Sequence, residues 1–287
     1  MLGILILTFI LFDMKKLLFL LVVFTSFIAC SDDDEKNNEN KYLYEIIVKE
    51  HQYKFGVVDS YGEAYENFIY DSNGNLLNKK TNYYVSAFNG RVSHEYSYMY
   101  DDANHLTQSS EYELSLLKYK YIYSYNSIDS ISKMKVYNKD GELYETWTYE
   151  YDNTKRLIKA TYKDELSNNF GYIHNYTYSG YNITDTTYNL KDGSLFGITL
   201  DEYDSHGNLT SNTWINGNTG KRTQQKGIIY EYDLNGKITK ETSWGMLSDN
   251  LTYKDYTYNE DGSIQKIHLS YSYNKDESDL IYEYIYK

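Results

Sequence analysis

The sequence has no proline, a single cysteine and few basic residues for its length of 287. Without proline, every residue keeps a backbone N–H, as a run of interior β-strands requires. With one cysteine, no intramolecular disulfide can form. The 28 lysines and arginines are outnumbered by 41 acidic residues, and the resulting charge of −13 opposes phosphate binding. Nucleic acid is therefore not an expected partner.

Tyrosine is what the chain has in excess, with 37 residues among 287. Ordinary globular proteins contain far less, and here tyrosine supplies much of the 41% of the chain that is hydrophobic. Little aliphatic material remains for a thick core. A tyrosine ring buries a large area while its hydroxyl still needs a partner, so it suits a face that is packed at one end and wet at the other.

The N-terminus contains two apolar stretches, Leu2 to Phe12 and Leu17 to Ile28, and each is too short to span a bilayer. Read from Met14, the second has a basic start, an apolar core and a small residue at the cleavage position. We therefore interpret residues 1–29 as a signal peptide, with translation starting at Met14. The alternative, an uncleaved anchor from Met1, would place Asp13 and two lysines in hydrocarbon at considerable cost.

The signal ends at Phe27-Ile28-Ala29-Cys30, which resembles the lipobox of bacterial lipoproteins. That resemblance implies that Cys30 is lipidated and anchors the mature chain to a membrane. The next residues resemble the acidic signal that sends Bacteroidetes lipoproteins to the outer face of the outer membrane: Ser31, Asp32, Asp33, Asp34 and Glu35. An alternative is a solvated tether, since residues 31–41 include no apolar side chain, and we expect residues 30–41 to be disordered.

A repeat of the form Tyr-Asp/Asn-x-x-Gly-x-Leu/Ile fills the rest of the chain. Clear copies begin at Tyr70, Tyr137, Tyr203, Tyr232 and Tyr258, and degenerate copies begin at Tyr100, Tyr125, Tyr151 and Tyr178. The acidic or amide side chain bonds its own backbone and the glycine supplies a positive φ, which predicts a three-residue hairpin loop with a G1 bulge, such as Ser72-Asn73-Gly74. That geometry places Tyr70 opposite Leu76.

Tyrosines alternate before each turn, as at positions 119, 121, 123 and 125, which predicts strands with these rings on one face. After the turn, polar residues such as Lys159 and Thr161, which follow Leu157, are expected on that same face. A second turn is predicted within most repeats, at Phe88-Asn89-Gly90, Ser167-Asn168-Asn169, Asn216-Gly217-Asn218, Leu247-Ser248-Asp249 and Asn274-Lys275-Asp276. The sequence thus predicts an all-β, antiparallel up-and-down meander of about 16 to 18 strands over residues 42–287, forming a curled sheet or an open barrel-like structure.

The segment from Tyr230 to Ile238, Tyr-Glu-Tyr-Asp-Leu-Asn-Gly-Lys-Ile, resembles the YD repeat of Rhs and teneurin-type proteins. In that family the repeats build β-sheet strips that coil into shells, some of which bind carbohydrate or enclose a toxin. The arginine that usually precedes the tyrosine pair is missing and the chain is short for a closed shell, so toxin delivery is not implied. A lipidated, tyrosine-rich meander is also similar to Bacteroidetes lipoproteins of unknown function with a porin-like fold, which implies a fold and no activity.

Two functional hypotheses follow. The first is a non-catalytic surface module in which tyrosine rows and Trp147, Trp214 or Trp244 stack on a glycan or grip a protein partner; the alternative for each ring is that it packs the sheet. The second is a structural or assembly lipoprotein whose sheet edges or exposed strands engage other envelope proteins.

An enzyme is a more distant third hypothesis. The sequence has no phosphate-binding glycine loop, zinc-ligand spacing or nucleophile elbow, and its histidines are spread singly. His174 alone lies within a tyrosine row, where we expect it to fill space among the rings. Carboxylates are numerous enough for a glycosidase pair, yet most lie in turns where a local backbone role accounts for them. We expect no cofactor, no metal and no enzymatic activity.

Overall fold

The structure of this chain is a computed structural model that describes residues 42–54, 57–85, 90–167, 170–245, 248–272 and 277–286. The predicted signal peptide (1–29) and acidic tether (30–41) lie outside the described residues, as do all or part of the predicted second turns near residues 88, 168, 247 and 275. The turn at Asn216-Gly217-Asn218 is present. Over the described ranges there is no helix long and apolar enough to cross a bilayer.

Eighteen antiparallel strands make up a single sheet. They are β1 (Leu43–Lys54), β2 (Val57–Tyr70), β3 (Leu76–Val85), β4 (Gly90–Tyr100), β5 (Leu106–Glu113), β6 (Leu116–Tyr125), β7 (Ile131–Asn138), β8 (Leu143–Tyr151), β9 (Leu157–Asp164), β10 (Gly171–Ser179), β11 (Asn182–Asn189), β12 (Leu195–Tyr203), β13 (Leu209–Asn216), β14 (Arg222–Tyr232), β15 (Ile238–Gly245), β16 (Ser248–Tyr258), β17 (Ile264–Tyr271) and β18 (Glu277–Tyr286). The predicted all-β meander and its strand number are confirmed.

Each strand pairs with the strands before and after it in sequence, and β1 pairs with both β2 and β18. The last strand therefore returns to the first, with Leu43 opposite Tyr286. The sheet is a closed barrel, where the sequence had left a curled or open form as the expectation. Closure removes the two edges of a meander, whose unpaired backbone groups would otherwise be open to another chain.

The motif turn has the predicted geometry. Asp71 N–H donates to the Asn75 carbonyl at 2.9 Å, and Gly74 N–H donates to the Asp71 carbonyl at 3.1 Å. The Asp71 carboxylate accepts hydrogen bonds from the backbone N–H groups of Asn73 (2.9 Å) and Asn75 (2.8 Å), and Gly74 has a φ of 84°. Tyr70 lies opposite Leu76, as predicted.

A one-residue bulge follows this turn and was not predicted. Tyr70 pairs with Leu76 but Ile69 pairs with Asn78, so Leu77 is an extra residue in β3. The same shift occurs in β9, where Tyr151 pairs with Leu157 and Glu150 with Lys159. An extra residue exchanges the two faces of a strand. The expectation that Lys159 and Thr161 share the tyrosine face is therefore wrong, and Ala160 and Tyr162 lie there instead.

The motif copies do not all lie at the same end of the barrel. The turns that follow the even-numbered strands lie at one end, which we call the motif rim. The copy from Tyr137 to Leu143 connects β7 to β8 and therefore lies at the opposite end. Tyr137 also points to the opposite face from its buried neighbour Val136, because successive side chains alternate along a strand.

The tyrosine face of the sheet points inward. Buried side chains share this face in neighbouring strands, as for Tyr123, Met134 and Trp147, whereas Ile69 and Met99 on the other face are more than half exposed. The concave side of a curved sheet crowds its side chains and the convex side spreads them. Barrels of 16 to 18 strands leave an interior wider than side chains fill. A closed sheet of this strand number is therefore expected to enclose a lumen, with the tyrosine face of the sheet as its border.

Candidate functional site

The tyrosines that begin the motif form a ring at the motif rim, and their hydroxyls join neighbouring repeats. Five of these hydroxyls donate to the carbonyl of the Leu or Ile that ends the preceding motif: Tyr100 to Leu76 (3.1 Å), Tyr125 to Leu106 (3.1 Å), Tyr151 to Ile131 (2.8 Å), Tyr178 to Leu157 (2.7 Å) and Tyr258 to Ile238 (2.8 Å). This hydrogen bond explains why the motif begins with tyrosine, since the turn itself does not need the hydroxyl.

The ring is different at Tyr203 and Tyr232. The Tyr232 hydroxyl donates to the Asp204 carboxylate and accepts from the Asn208 amide at 2.8 Å, and its ring stacks on His206 at 4.0 Å. Burial and the bond to Asp204 raise the pKa of Tyr232 to about 12. The Tyr203 hydroxyl has no hydrogen-bond partner among the residues that the structure describes. The hydroxyl–carbonyl ring is therefore interrupted where β12 and β14 end.

On one side of the lumen, stacked rings form what we call the aromatic wall, the inward faces of β4 to β10. Its largest members are Tyr98, Tyr121, Tyr123, Trp147, Tyr149, Tyr162, Tyr172 and Tyr176. The Trp147 ring centroid lies 4.8 Å from that of Tyr162, which lies 6.3 Å from Tyr172. Trp147 is 4% exposed, and its indole N–H donates to the Glu145 carboxylate at 3.2 Å. This wall is a packed layer, and no fully buried side-chain polar atom among the described residues lacks a hydrogen-bond partner.

Burial controls the protonation of the aromatic wall. It raises the pKa of Tyr121 well above the ordinary range, and the charge of Glu111 and its hydrogen bond with the Tyr121 hydroxyl raise it further. Burial also raises the pKa of Tyr123 to about 12, against the opposing hydrogen bond with Ser109. It likewise raises the pKa of Glu145, against the hydrogen bond from Trp147. The hydroxyls of this wall are therefore neutral donors at physiological pH.

His174 lies within the aromatic wall, in agreement with its interpretation as a space-filling ring. It is 5% exposed, with ring centroids 6.2 Å from Trp147 and 6.3 Å from Tyr176. Its Nδ1 lies 3.0 Å from an Asp185 carboxylate oxygen and 3.2 Å from the Thr187 hydroxyl. The imidazole is held at the border between the aromatic wall and the strands that follow.

The other side of the lumen, the inward faces of β12 to β16, is what we call the polar wall. It includes Thr199, Asp201, Asn212, Trp214, Lys226, Ser243 and Lys254. On β12 the inward residues before the motif tyrosine are Gly197, Thr199 and Asp201. The equivalent positions on β8 are occupied, in the same order, by Glu145, Trp147 and Tyr149. β12 therefore lacks the large rings that β8 has at these positions, while Tyr230 and Tyr256 face inward on β14 and β16.

Trp214 covers the inward position on β12 where Gly197 has no side chain. Its benzo ring covers Gly197 so closely that any side chain at that position would collide with it. Its ring centroid lies 5.6 Å from Phe196, which lies 4.8 Å from Tyr172 and so connects it to the aromatic wall. Trp214 is only partly buried, unlike Trp147. It gives the polar wall an aromatic surface that borders the lumen.

Two lysines project from the polar wall. Lys254 forms an ion pair with Glu241 at 3.0 Å, and the Tyr256 hydroxyl donates to the second oxygen of that carboxylate at 3.2 Å. Lys226 lies between Asn212 and Gly245 in register and has no ion-pair partner within the described ranges. Partial burial lowers the pKa of Lys226, as does the charge of Lys254, whereas Glu241 opposes the shift. Lys226 is nevertheless exposed to solvent, and because it faces inward that solvent lies in the lumen.

The structure separates the three tryptophans that were predicted to stack on a ligand. Trp147 is packed in the aromatic wall and has little ring surface to offer, and Trp214 borders the lumen on the polar wall. Trp244 lies on the outward face, where its ring covers Gly227. The predicted lipidation site Cys30 and export signal Ser31 to Glu35 lie outside the described residues.

Lys226 and Lys254 were missed at the sequence level, although a signal was available. Each lies an even number of residues before a motif tyrosine, Tyr232 or Tyr258, and so shares its face. No group of His, Cys, Asp and Glu side chains suitable for a metal ion occurs among the described residues.

Comparisons with known proteins give no family. No protein-family model matches the chain. Among curated proteins, eukaryotic translation initiation factor 2-alpha kinase 1 of Plasmodium falciparum is 31% identical over 127 residues, which are 43% of this chain and 8% of that protein. The chain spans less than a tenth of the length of this relative, so the match shows no shared family.

Among solved structures, a porin-like protein from Bacteroides uniformis is 12% identical, with a TM-score of 0.45 over 85% of this chain and 98% of that one. A TcdB2-TccC3-TEV structure is 13% identical, with a TM-score of 0.32 over 75% and 14%. A Tc holotoxin pore from Photorhabdus luminescens is 12% identical, with a TM-score of 0.26 over 72% and 15%. These similarities are too low to carry an argument about activity.

Proposed function

We propose that this protein is a lipoprotein of the outer membrane, facing the cell exterior, whose barrel is a non-catalytic module that binds a glycan in its lumen. The observation that carries the proposal is the inward face, where a partly exposed Trp214 lies beside the hydrogen-bonded Asn212 amide and Asp201 carboxylate and opposite Thr199. Ligand sites are typically concave, with aromatic surface and a few placed polar groups.

The chemistry of the polar wall suits a sugar ring. One face of a pyranose is apolar and packs against an aromatic ring, while its hydroxyls need both donors and acceptors. Trp214 supplies the aromatic surface. The Asn212 amide contacts the Asp201 carboxylate, and together they supply a donor and an acceptor beside the ring. Thr199 lies opposite Trp214 on the neighbouring strand and adds a hydroxyl.

A glycan array probed with residues 42–287 tests this proposal, because all eighteen strands and their pairings lie within that segment. We expect binding to a defined set of polysaccharides, with Trp214→Ala weakening it at least about tenfold, the order expected for a lost aromatic contact. Trp244→Ala, on the outward face, is the matched control and should bind normally. Equal losses in both variants would contradict a site in the lumen.

The alternative role, assembly with other envelope proteins, predicts a different result from the same material. The barrel would bind no polysaccharide and would instead co-purify with an envelope protein. Because the sheet is closed, strand addition at a sheet edge is not available to such a partner. It would have to dock on the outward face.

Localisation is tested separately at the N-terminus. Cys30→Ala should remove the lipid from the mass of the mature chain and release the protein from membranes. Replacing Asp32 to Glu35 with Ala and Ser should leave lipidation intact but remove protease accessibility on whole cells. If accessibility is unchanged, the acidic run is only a tether.

A further inference from the structure

Lys226 differs from the other lysines of the inward face in having no ion-pair partner within the described part of the chain. Lys79 pairs with Glu66 at 2.9 Å, and Lys254 pairs with Glu241 at 3.0 Å. Lys226 shares its face with the buried Ile228, so it points into the barrel, yet it remains exposed. Glu241 is near enough to oppose the lowering of the Lys226 pKa by burial, but its ion pair is with Lys254. The Lys226 ammonium therefore has no contact ion pair among the described residues and is available to an anionic ligand.

The residues directly opposite Lys226 on the two neighbouring strands are small or polar. Asn212 lies opposite it on β13 and Gly245 lies opposite it on β15. Ser243 shares the inward face two residues from Gly245, and Trp214 stands two residues along β13 from Asn212. A cation, an amide, a hydroxyl and an aromatic surface therefore meet on one part of the polar wall.

We propose that the glycan bound by this barrel is acidic, and that the Lys226 ammonium binds the carboxylate of one of its sugar residues while Trp214 packs against a ring and Asn212 bonds its hydroxyls. The inference rests on the proposed function and adds a ligand class to it. Lys254 contributes a second, partly neutralised charge nearby.

The surrounding charges favour a carboxylate over a phosphate. Asp201 and Glu241 lie on the same wall, and the whole chain carries a charge of −13. This field opposes anions in proportion to their charge, so a singly charged group pays the smaller penalty. A single negative charge is enough for a charge-assisted hydrogen bond, so a carboxylate can still accept one from the Lys226 ammonium.

Calorimetry with the full-length protein in detergent tests this proposal, with an otherwise neutral oligosaccharide that carries one galacturonate residue, and its methyl ester, as probes. The two share rings and most hydroxyls and differ in charge. At low salt we expect the acid to bind roughly tenfold more tightly than the ester, the order of one charge-assisted hydrogen bond. Lys226→Gln should remove that preference and Lys226→Arg should keep it. Lys240→Gln makes the same charge change on the outward face and should leave the preference intact.

Each contrary result has a definite meaning. Equal binding of acid and ester by the unaltered protein overturns the acidic-glycan inference while leaving glycan binding in place. Binding of neither probe also overturns it, and the glycan array then decides separately about the proposed function. If Lys240→Gln reduces the preference as much as Lys226→Gln, the effect is a general charge effect and Lys226 is not the site. Unchanged thermal midpoints and circular dichroism show that the variants are folded.

Discussion

The two walls of the lumen have the same backbone pattern of strands and motif turns, and they differ in their inward-facing side chains. On β8 of the aromatic wall and on β12 of the polar wall, alternate residues face inward. Each strand ends at a motif tyrosine, which is Tyr151 on β8 and Tyr203 on β12. On β8 these residues include the buried Trp147, and on β12 they include Gly197. The turn and its pairing specify the strand, so the inward positions are free to serve either packing or binding.

This division explains how a protein with a thin core can keep a polar interior surface. Rings on the aromatic wall contact one another across three neighbouring strands, as Trp147, Tyr162 and Tyr172 do. That packing removes apolar ring surface from water and so stabilises this side of the barrel. The polar wall buries less ring surface, and its strands are held by backbone pairing with the strands on either side. We therefore expect mutations on the two walls to have unequal effects.

The largest difference is expected between Trp147→Ala and Trp214→Ala. Trp147 is 4% exposed, so its removal leaves a cavity among packed rings and should lower the free energy of unfolding by about 3–5 kcal/mol. Trp214 is only partly buried and should cost less than about 2 kcal/mol. Urea unfolding of the two variants measures both. Equal losses would show that the walls do not differ in packing.

The local features of this barrel are those that the sequence predicts. The motif turn and the pairing of Tyr70 with Leu76 follow from residues within seven positions of each other. The bulge at Leu77 does not follow from the motif, because no residue type in the motif marks the position of the extra residue. The error at Lys159 and Thr161 came from this bulge.

Closure and the binding surface depend on distant residues. Pairing of β1 with β18 brings Leu43 opposite Tyr286, and no local pattern at either end specifies that contact. Nothing local in the sequence shows which of the three tryptophans is packed and which has exposed ring surface. Only their neighbours distinguish them: Trp147 is covered by rings, whereas Trp214 and Trp244 lie over glycines on opposite faces.

A smaller difference is expected at the motif rim, between Tyr151→Phe and Tyr203→Phe. The Tyr151 hydroxyl donates to the Ile131 carbonyl at 2.8 Å, so its loss should lower the free energy of unfolding by about 1 kcal/mol. The Tyr203 hydroxyl has no such partner in the described ranges, and its removal should change stability by less than about 0.5 kcal/mol. Denaturant midpoints at constant m-value report both. A loss at Tyr203 as large as that at Tyr151 would mean that the ring of bonds is continuous.

Effects of similar size but opposite sign are expected at the turns, where the two walls have different residues at the same backbone position. Lys155, in the turn after β8, has a φ of 63°, and Gly236, in the turn after β14, has a φ of 78°. The left-handed region is costly for a residue with a Cβ and not for glycine. Lys155→Gly should therefore raise the free energy of unfolding by about 0.5–1 kcal/mol, since relief at the turn exceeds the entropy that glycine adds to the unfolded chain.

Gly236→Ala is the reciprocal change and should lower the free energy of unfolding by about 1 kcal/mol. A Cβ at that position would have the His206 ring as its nearest neighbour, at 3.8 Å, so there is space for it and the cost arises from φ. Thermal unfolding of the two variants measures shifts of opposite sign. If both changes destabilise, the Lys155 side chain contributes contacts that outweigh its backbone strain. The degenerate turns would then be adapted to the aromatic wall rather than tolerated there.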